Sequence, residues 1–242
     1  ADIDALPTLE MLRRMNDEDA RIAPAIADEL PSIAQAVDAI ADRLRAGGRL
    51  IYIGAGTSGR LGILDASEMP PTFSTPSEMV IGIMAGGDTA IRRAVEGAED
   101  NAEQGRRDIV QLNITPKDCV VGLSASGRAP YVIGAMKQAR ERGALVISVA
   151  CNRPAPMQAV ADISITPLVG PEVIAGSTRL KAGTAEKIVL NMLSTGAMIR
   201  LGKTFGNLMV DLQATNSKLR DRARRIVERA CGIESALATE LL

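Results

Sequence analysis

Short apolar runs alternate with longer helical stretches along this chain, and glycine or proline separates most of them. Leu50–Ile53, Met79–Met84, Cys119–Leu123, Leu145–Val149 and the short Ile163–Ile165 read as strands. Between them lie segments with helical spacing or helical length: a stretch from about residue 57 to Pro70, a polar stretch from about Ala90 to Val110, and Tyr131–Arg142. Strands joined through helices require right-handed crossovers and therefore a parallel sheet covered on both faces. The runs are nearly continuous in apolar residues, as strands buried on both sides must be. The expectation is an α/β fold, a doubly wound five-stranded parallel sheet flanked by helices. Further helices lie at either end: Ala25–Ala46, which Pro31 kinks or divides, and a mostly helical region from Thr178 onward. Three segments follow, an N-terminal helical stretch 1–46, a central domain 47–204 and a C-terminal helical stretch 205–242.

Such a sheet binds its ligands beyond the carboxyl ends of its strands. That directs attention to the loops after Ile53, Met84, Leu123 and Val149. The first is Gly54-Ala55-Gly56-Thr57-Ser58-Gly59, which follows a strand and opens a helix. It has the outline of a dinucleotide fingerprint, but the next strand ends Met84-Ala85-Gly86-Gly87 without the acid that would hold a ribose hydroxyl. What remains is backbone that a ligand can approach closely, amides at a helix start that attract anions, and the hydroxyls of Thr57 and Ser58. A bare tight turn with Ser58 as helix cap explains this loop equally well. The second loop, Ser124-Ala125-Ser126-Gly127-Arg128-Ala129-Pro130, repeats the arrangement at the same end of the sheet. Two anion-suited loops side by side favour a phosphomonoester site formed by Gly56, Thr57, Ser58, Gly59, Ser124, Ser126, Gly127 and Arg128. Gly202-Lys203-Thr204 imitates the end of a nucleotide-binding P-loop, but it lacks the upstream glycine and follows a helix.

Composition removes whole classes of chemistry. Lys plus Arg number 28 and Asp plus Glu 29, a net charge of −1 that leaves no basic excess for nucleic acid or a membrane surface. The most apolar long stretch, Ile188–Leu201, is interrupted by Asn191, Ser194 and Arg200 and is too short to span a bilayer. Its apolar positions from Ile188 to Ile199 read as core or as a dimer interface, not as a cofactor site. There is no histidine, so any proton transfer falls to Glu, Asp, Lys, Tyr or Cys, and a histidine metal site is excluded. The three cysteines are an odd number without a C-x-x-C pair, which argues against a disulfide framework or a zinc site and suits a reducing cytoplasm. The N-terminal residues are charged and carry no apolar leader.

The run GAGTSGRLGILDASEMPPTF (Gly54–Phe73) closely resembles the signature of the N-acetylmuramic acid 6-phosphate etherases. AVEGAED (Ala94–Asp100), SASGRAPYVIGA (Ser124–Ala135), GSTRLKAGTAEK (Gly176–Lys187) and FGNLMVDLQATN (Phe205–Asn216) are similar to the same family, in the same order. The resemblance implies the sugar isomerase (SIS) fold and kinship with the glucokinase regulatory protein. It also implies cleavage of a D-lactyl ether by elimination and then hydration in cell-wall amino-sugar recycling, no metal or other cofactor, and a homodimer. Family members continue into a further helical region beyond the position of Leu242.

Two carboxyl groups of opposite protonation suit such a reaction. By the family match, Glu68 is the proton donor to the lactyl oxygen and Glu99 the second catalytic carboxylate, taken as the base, with Glu172 in reserve. For Glu68 to stay protonated at neutral pH it needs burial or a nearby carboxylate, which Asp65 supplies if it faces the same way; on residue type alone, Glu68 is a solvated helix end. Glu99 is equally one of a charged helix face with Glu96, Asp100, Glu103 and the neighbouring arginines. Lys181 is a candidate contact for the phosphate or the lactyl carboxylate, or a plain surface lysine. A non-catalytic sugar-phosphate regulator and an aldose-ketose isomerase are the rival readings.

Overall fold

The computed structural model describes residues 2–212 and 217–241; Gln213–Asn216, the end of the last family-like segment, lie outside the described residues. Three helices lead in, α1 (Thr8–Asp19), α2 (Ile22–Ala27) and α3 (Leu30–Arg45). Pro31 divides the expected long helix: it stands in the first turn of α3, where its missing N–H costs nothing. The central elements follow as β1 (Leu50–Gly54), α4 (Gly56–Ser67), α5 (Met69–Phe73), β2 (Val80–Met84), α6 (Gly87–Arg92), α7 (Ala102–Gln111), β3 (Cys119–Leu123), α8 (Pro130–Glu141), β4 (Leu145–Val149), β5 (Ile163–Ile165) and α9 (Lys181–Arg200). Then come α10 (Ser217–Cys231) and α11 (Ser235–Glu240). All five expected strands are present.

The sheet order is β2-β1-β3-β4-β5 and every pairing is parallel. Successive strand residues alternate between two cores. Leu50, Tyr52, Val121 and Leu123 join Ile33, Ile40, Val189 and Leu193 on the face covered by α3 and α9. Ile51, Ile53, Val120 and Val146 join Ile109, Val132 and Met136 under α7 and α8. Each buried Ile, Leu or Val contributes about 1.5–3 kcal/mol, and the period of two fixes which face each residue serves.

The chain order reverses at β1, which lies between β2 and β3. The connections leaving β1 and β3 therefore diverge to opposite faces and open a crevice between them, the usual ligand position in an open α/β sheet. The two glycine-serine loops are the walls of that crevice.

The polar stretch expected as one helix over about 90–110 is broken. Arg93 is extended, Gly97 has φ +71°, Ala98–Asp100 form a single 3₁₀ turn, and Asn101 accepts the Gln104 N–H to cap α7. Glu99 thus sits on a turn and not on a charged helix face, because a left-handed residue and an Asn cap restart the backbone there.

Candidate active site

Both loop-opening helices begin without a side-chain cap. Ala55 is the N-cap of α4 and Ala129 that of α8, and neither has a side chain that can accept a hydrogen bond. The first-turn N–H groups of a helix have no partner within it, so these amides are left to a ligand, with the positive end of the helix dipole behind them. Ser58 is accordingly the third residue of α4 and not its cap. Gly59 is required by packing: a Cβ there would lie 2.6 Å from Met84 Cβ. Gly127 has φ +67°, and a Cβ on it would fall 2.4 Å from Ala155 Cβ. Both positions hold their loop against the sheet end, and neither admits a side chain.

A cleft of about 280 Å³ lies between the loops. Gly56, Thr57 and Ser58 line it from one side and Ser124, Ser126 and Arg128 from the other, with Glu99 at its edge beside Asp100. Ser124 Oγ and Ser126 Oγ are 3.5 Å apart, and the Arg128 N–H donates to Ser126 Oγ at 3.3 Å. The Gly127 N–H donates to Ser124 O at 2.8 Å, closing the turn that presents both hydroxyls. The Cys151 N–H donates to Ala125 O at 2.9 Å and anchors this loop to the end of β4. Backbone donors, the hydroxyls of Thr57, Ser58, Ser124, Ser126 and Thr178, and one guanidinium around a space of this size suit a phosphomonoester.

The family description "Glucokinase regulatory protein N-terminal SIS domain" matches residues 32–140, and "SIS domain" matches 98–196. In solved structures the chain is similar to a phosphoheptose isomerase from Francisella tularensis, with TM-score 0.63 at 19% identity over 81% of this chain and 98% of that one. It is also similar to a phosphoheptose isomerase from Neisseria gonorrhoeae, with TM-score 0.60 at 18% identity over 81% and 100%. At these identities the likeness establishes the fold. The N-acetylmuramic acid 6-phosphate etherase of Caldanaerobacter subterraneus subsp. tengcongensis is 58% identical over 100% of this chain and 79% of its own length. That of Clostridium beijerinckii is 60% identical over 99% and 79%. The chain belongs to the N-acetylmuramic acid 6-phosphate etherase family.

The chain brings most of the sequence-derived site residues together, but not all. Glu68 is exposed, caps the far end of α4 and does not line the cleft. It lies twelve positions beyond Gly56, about 18 Å at 1.5 Å per residue. Its surroundings are a furrow with Leu64, Asp65, Lys187 and Asn191. Asp65 shares that furrow but is buried, accepting from Asn191 Nδ2 at 2.7 Å and Ser194 Oγ at 3.2 Å.

Lys181 departs from the expectation of a ligand contact. It is 1% exposed, and its ammonium donates to Glu18 Oε2 at 2.5 Å. Desolvating an ammonium demands a carboxylate partner, and α1 supplies it. Glu172 is committed as well: its two oxygens accept the Lys181 N–H at 3.0 Å and the Ala182 N–H at 2.9 Å. It caps α9, which is why that helix start, unlike those of α4 and α8, offers these amides to no ligand.

Sequence reasoning missed Glu186. It lies on the buried stripe of α9 with Ala182, Val189 and Leu193, and Ser58 Oγ donates to its Oε1 at 2.9 Å. The available signal was an acid at i+4 from Ala182 within an otherwise apolar face. Thr178, which also lines the cleft, was passed over as a residue of the GSTRLKAGTAEK segment.

Proposed function

We propose that this chain cleaves the D-lactyl ether of N-acetylmuramic acid 6-phosphate, giving N-acetylglucosamine 6-phosphate and D-lactate, in peptidoglycan amino-sugar recycling. Likeness to etherases along the whole of this chain supports that reaction. The observation that carries it to this site is the pair of uncapped helix starts facing one cleft with Glu99 at its edge. The phosphate rests on the amides of Gly56, Thr57 and Ser58 and the hydroxyls of Thr57, Ser58, Ser124 and Ser126, while the Gly59 N–H is bonded to Ala55 O and Gly59 serves by packing against Met84. Gly127 shapes the second loop and Arg128 adds charge from the rim.

With the ring open, the aldehyde acidifies the adjacent carbon. Glu99 removes that proton, the lactyl C–O bond breaks as the double bond forms, and an acid protonates the departing lactate oxygen. Water then adds across the double bond. Glu68 is that acid. Since it stands a helix length from the cleft of its own chain, a second copy supplies it, and the working form is a homodimer. Exposed Leu64 on α4 and Ile199 on α9 line the furrows that Glu68 also lines and suit such a contact. Three free thiols accord with a cytoplasmic location. Among the described residues no helix is long and apolar enough to cross a membrane, and no cluster of His, Cys, Asp or Glu is arranged for a metal.

Incubation with N-acetylmuramic acid 6-phosphate and an assay for D-lactate tests the reading. Stoichiometric lactate is expected; binding without lactate would indicate a regulator, and ketose formation an isomerase.

A further inference from the structure

Behind the cleft, Ser58 lies between the proposed phosphate site and Glu186. Ser58 lines the cleft; Glu186 does not and is 1% exposed. We propose that Glu186 works as a neutral carboxylic acid that donates its proton to Ser58 Oγ, which turns the serine O–H toward the substrate phosphate and makes Glu186 a positioning residue for phosphate binding.

The argument is one of proton accounting. A serine hydroxyl has one proton and two lone pairs, and a carboxylate only accepts. If Glu186 were ionised, Ser58 would have to give its proton to Oε1 and would present lone pairs to a phosphate dianion. A carboxylic acid reverses the bond across the same 2.9 Å and frees the serine proton for a phosphoryl oxygen.

Three features favour the acid. Glu186 Oε2 is buried without a hydrogen-bond partner, a position tolerable for a neutral carbonyl-like oxygen and costly for half of an anion. Among the described residues no cation pairs with Glu186. Lys181, five residues earlier on α9, is held by Glu18, and Lys187 is exposed. The other titratable groups around it give no compensation. Glu172 is engaged with the α9 amides, Asp65 of α4 with Asn191 and Ser194, and the Cys151 thiol beyond β4 is pushed upward by its own burial. Burial, opposed only by the Ser58 hydrogen bond, raises Glu186 to about 8. A phosphate monoester, with its second ionisation near 6, is a dianion on both sides of that value, so the ligand's charge does not confound the effect.

This inference rests on the sugar-phosphate reading of the cleft. It is tested by calorimetric binding of N-acetylglucosamine 6-phosphate from pH 6.5 to 9.5. In the unaltered protein, affinity should fall above pH 8 with a slope approaching about tenfold per pH unit. Glu186→Gln keeps a donor to Ser58 at every pH. It should bind within about threefold of the unaltered protein at pH 7 and lose the slope. Ser58→Ala should bind about tenfold more weakly and also lose the slope. A purely structural Glu186 would leave the slope in place. Equal slopes in the parent and the Gln variant, or tenfold weaker binding by the Gln variant at pH 7, overturn the inference while sugar-phosphate binding stands. Absence of binding by the unaltered protein at every pH overturns the sugar-phosphate reading and this inference with it.

Discussion

Lys181 and Glu18 join the start of α9 to the end of α1 through an ammonium–carboxylate contact of 2.5 Å with the lysine fully enclosed. The carboxylate is correspondingly held below its ordinary range, chiefly by that hydrogen bond. A cation buried without its partner is strongly destabilising, whereas an exposed pair such as Arg45 with Asp42 contributes little. Glu18→Ala should therefore lower Tm by clearly more than Asp42→Ala does. Sugar-phosphate affinity of the folded fraction should stay within about threefold. Equal Tm changes, or a loss of binding much larger than that, would return Lys181 to the list of ligand contacts.

Asp118 is the matching device at the opposite end of the strands. It is 2% exposed and accepts from Arg49 N–H, Nε and Nη2 and from the Thr115 N–H at 2.8–3.1 Å. It ties β1 to β3 at the end of the strands away from the candidate cleft. Asp118→Ala strands the half-buried guanidinium and two backbone donors and should cost about 3–5 kcal/mol by urea unfolding. The kcat/KM of folded enzyme should not change. Burial pushes the Asp118 carboxyl upward, but the hydrogen bonds from Arg49 and Thr115 and the guanidinium charge outweigh it and hold the carboxyl below its ordinary value. Its contribution is therefore present above the unfolded carboxyl's range and disappears as pH falls through the lower, native value. The variant should consequently show a shallower acid limb in a plot of stability against pH.

If two chains build one site, each contributing a different glutamate, then defects in different glutamates must complement. Glu68→Ala and Glu99→Ala should each abolish lactate release when assayed alone. After unfolding together and refolding, random pairing makes half the dimers mixed, and each mixed dimer has one intact site of two. Roughly a quarter of parental activity should return. Continued absence of activity from a verified mixed dimer would show that Glu68 and Glu99 do not meet across the interface.

The legible part of this fold was its periodic part. Five apolar runs gave five strands, and the chain reversal at β1 placed the Gly54–Gly59 and Ser124–Pro130 loops together as the sheet rule demands. Long-range partners were not legible. Nothing near Lys181 in sequence announces Glu18, 163 residues away, and nothing near Ser58 announces Glu186, 128 residues away. The helical reading of residues 90–110 failed because charge patterning cannot show that Gly97 turns left-handed and that Asn101 starts a new helix. The Glu68 side chain was identified by motif, but its distance from the cleft follows from helix length, which the motif does not report.

The buried acid behind the phosphate loop also has a stability signature separate from its effect on binding. Glu186 is raised from 4.5 to about 8, with desolvation the dominant cause. Between those values the native state keeps a proton that the unfolded chain has released. Native stability from this group is thus fully present below pH 4.5 and declines as pH rises through 8. Glu186→Gln has no such proton to lose. The variant should be near parental stability around pH 5 and more stable than the parent by a few kcal/mol near pH 9. Urea unfolding at both pH values reads the difference directly. A stability gap that is the same at both would mean that Glu186 titrates alike in the folded and unfolded chain, and the neutral acid behind Ser58 would lose its physical basis.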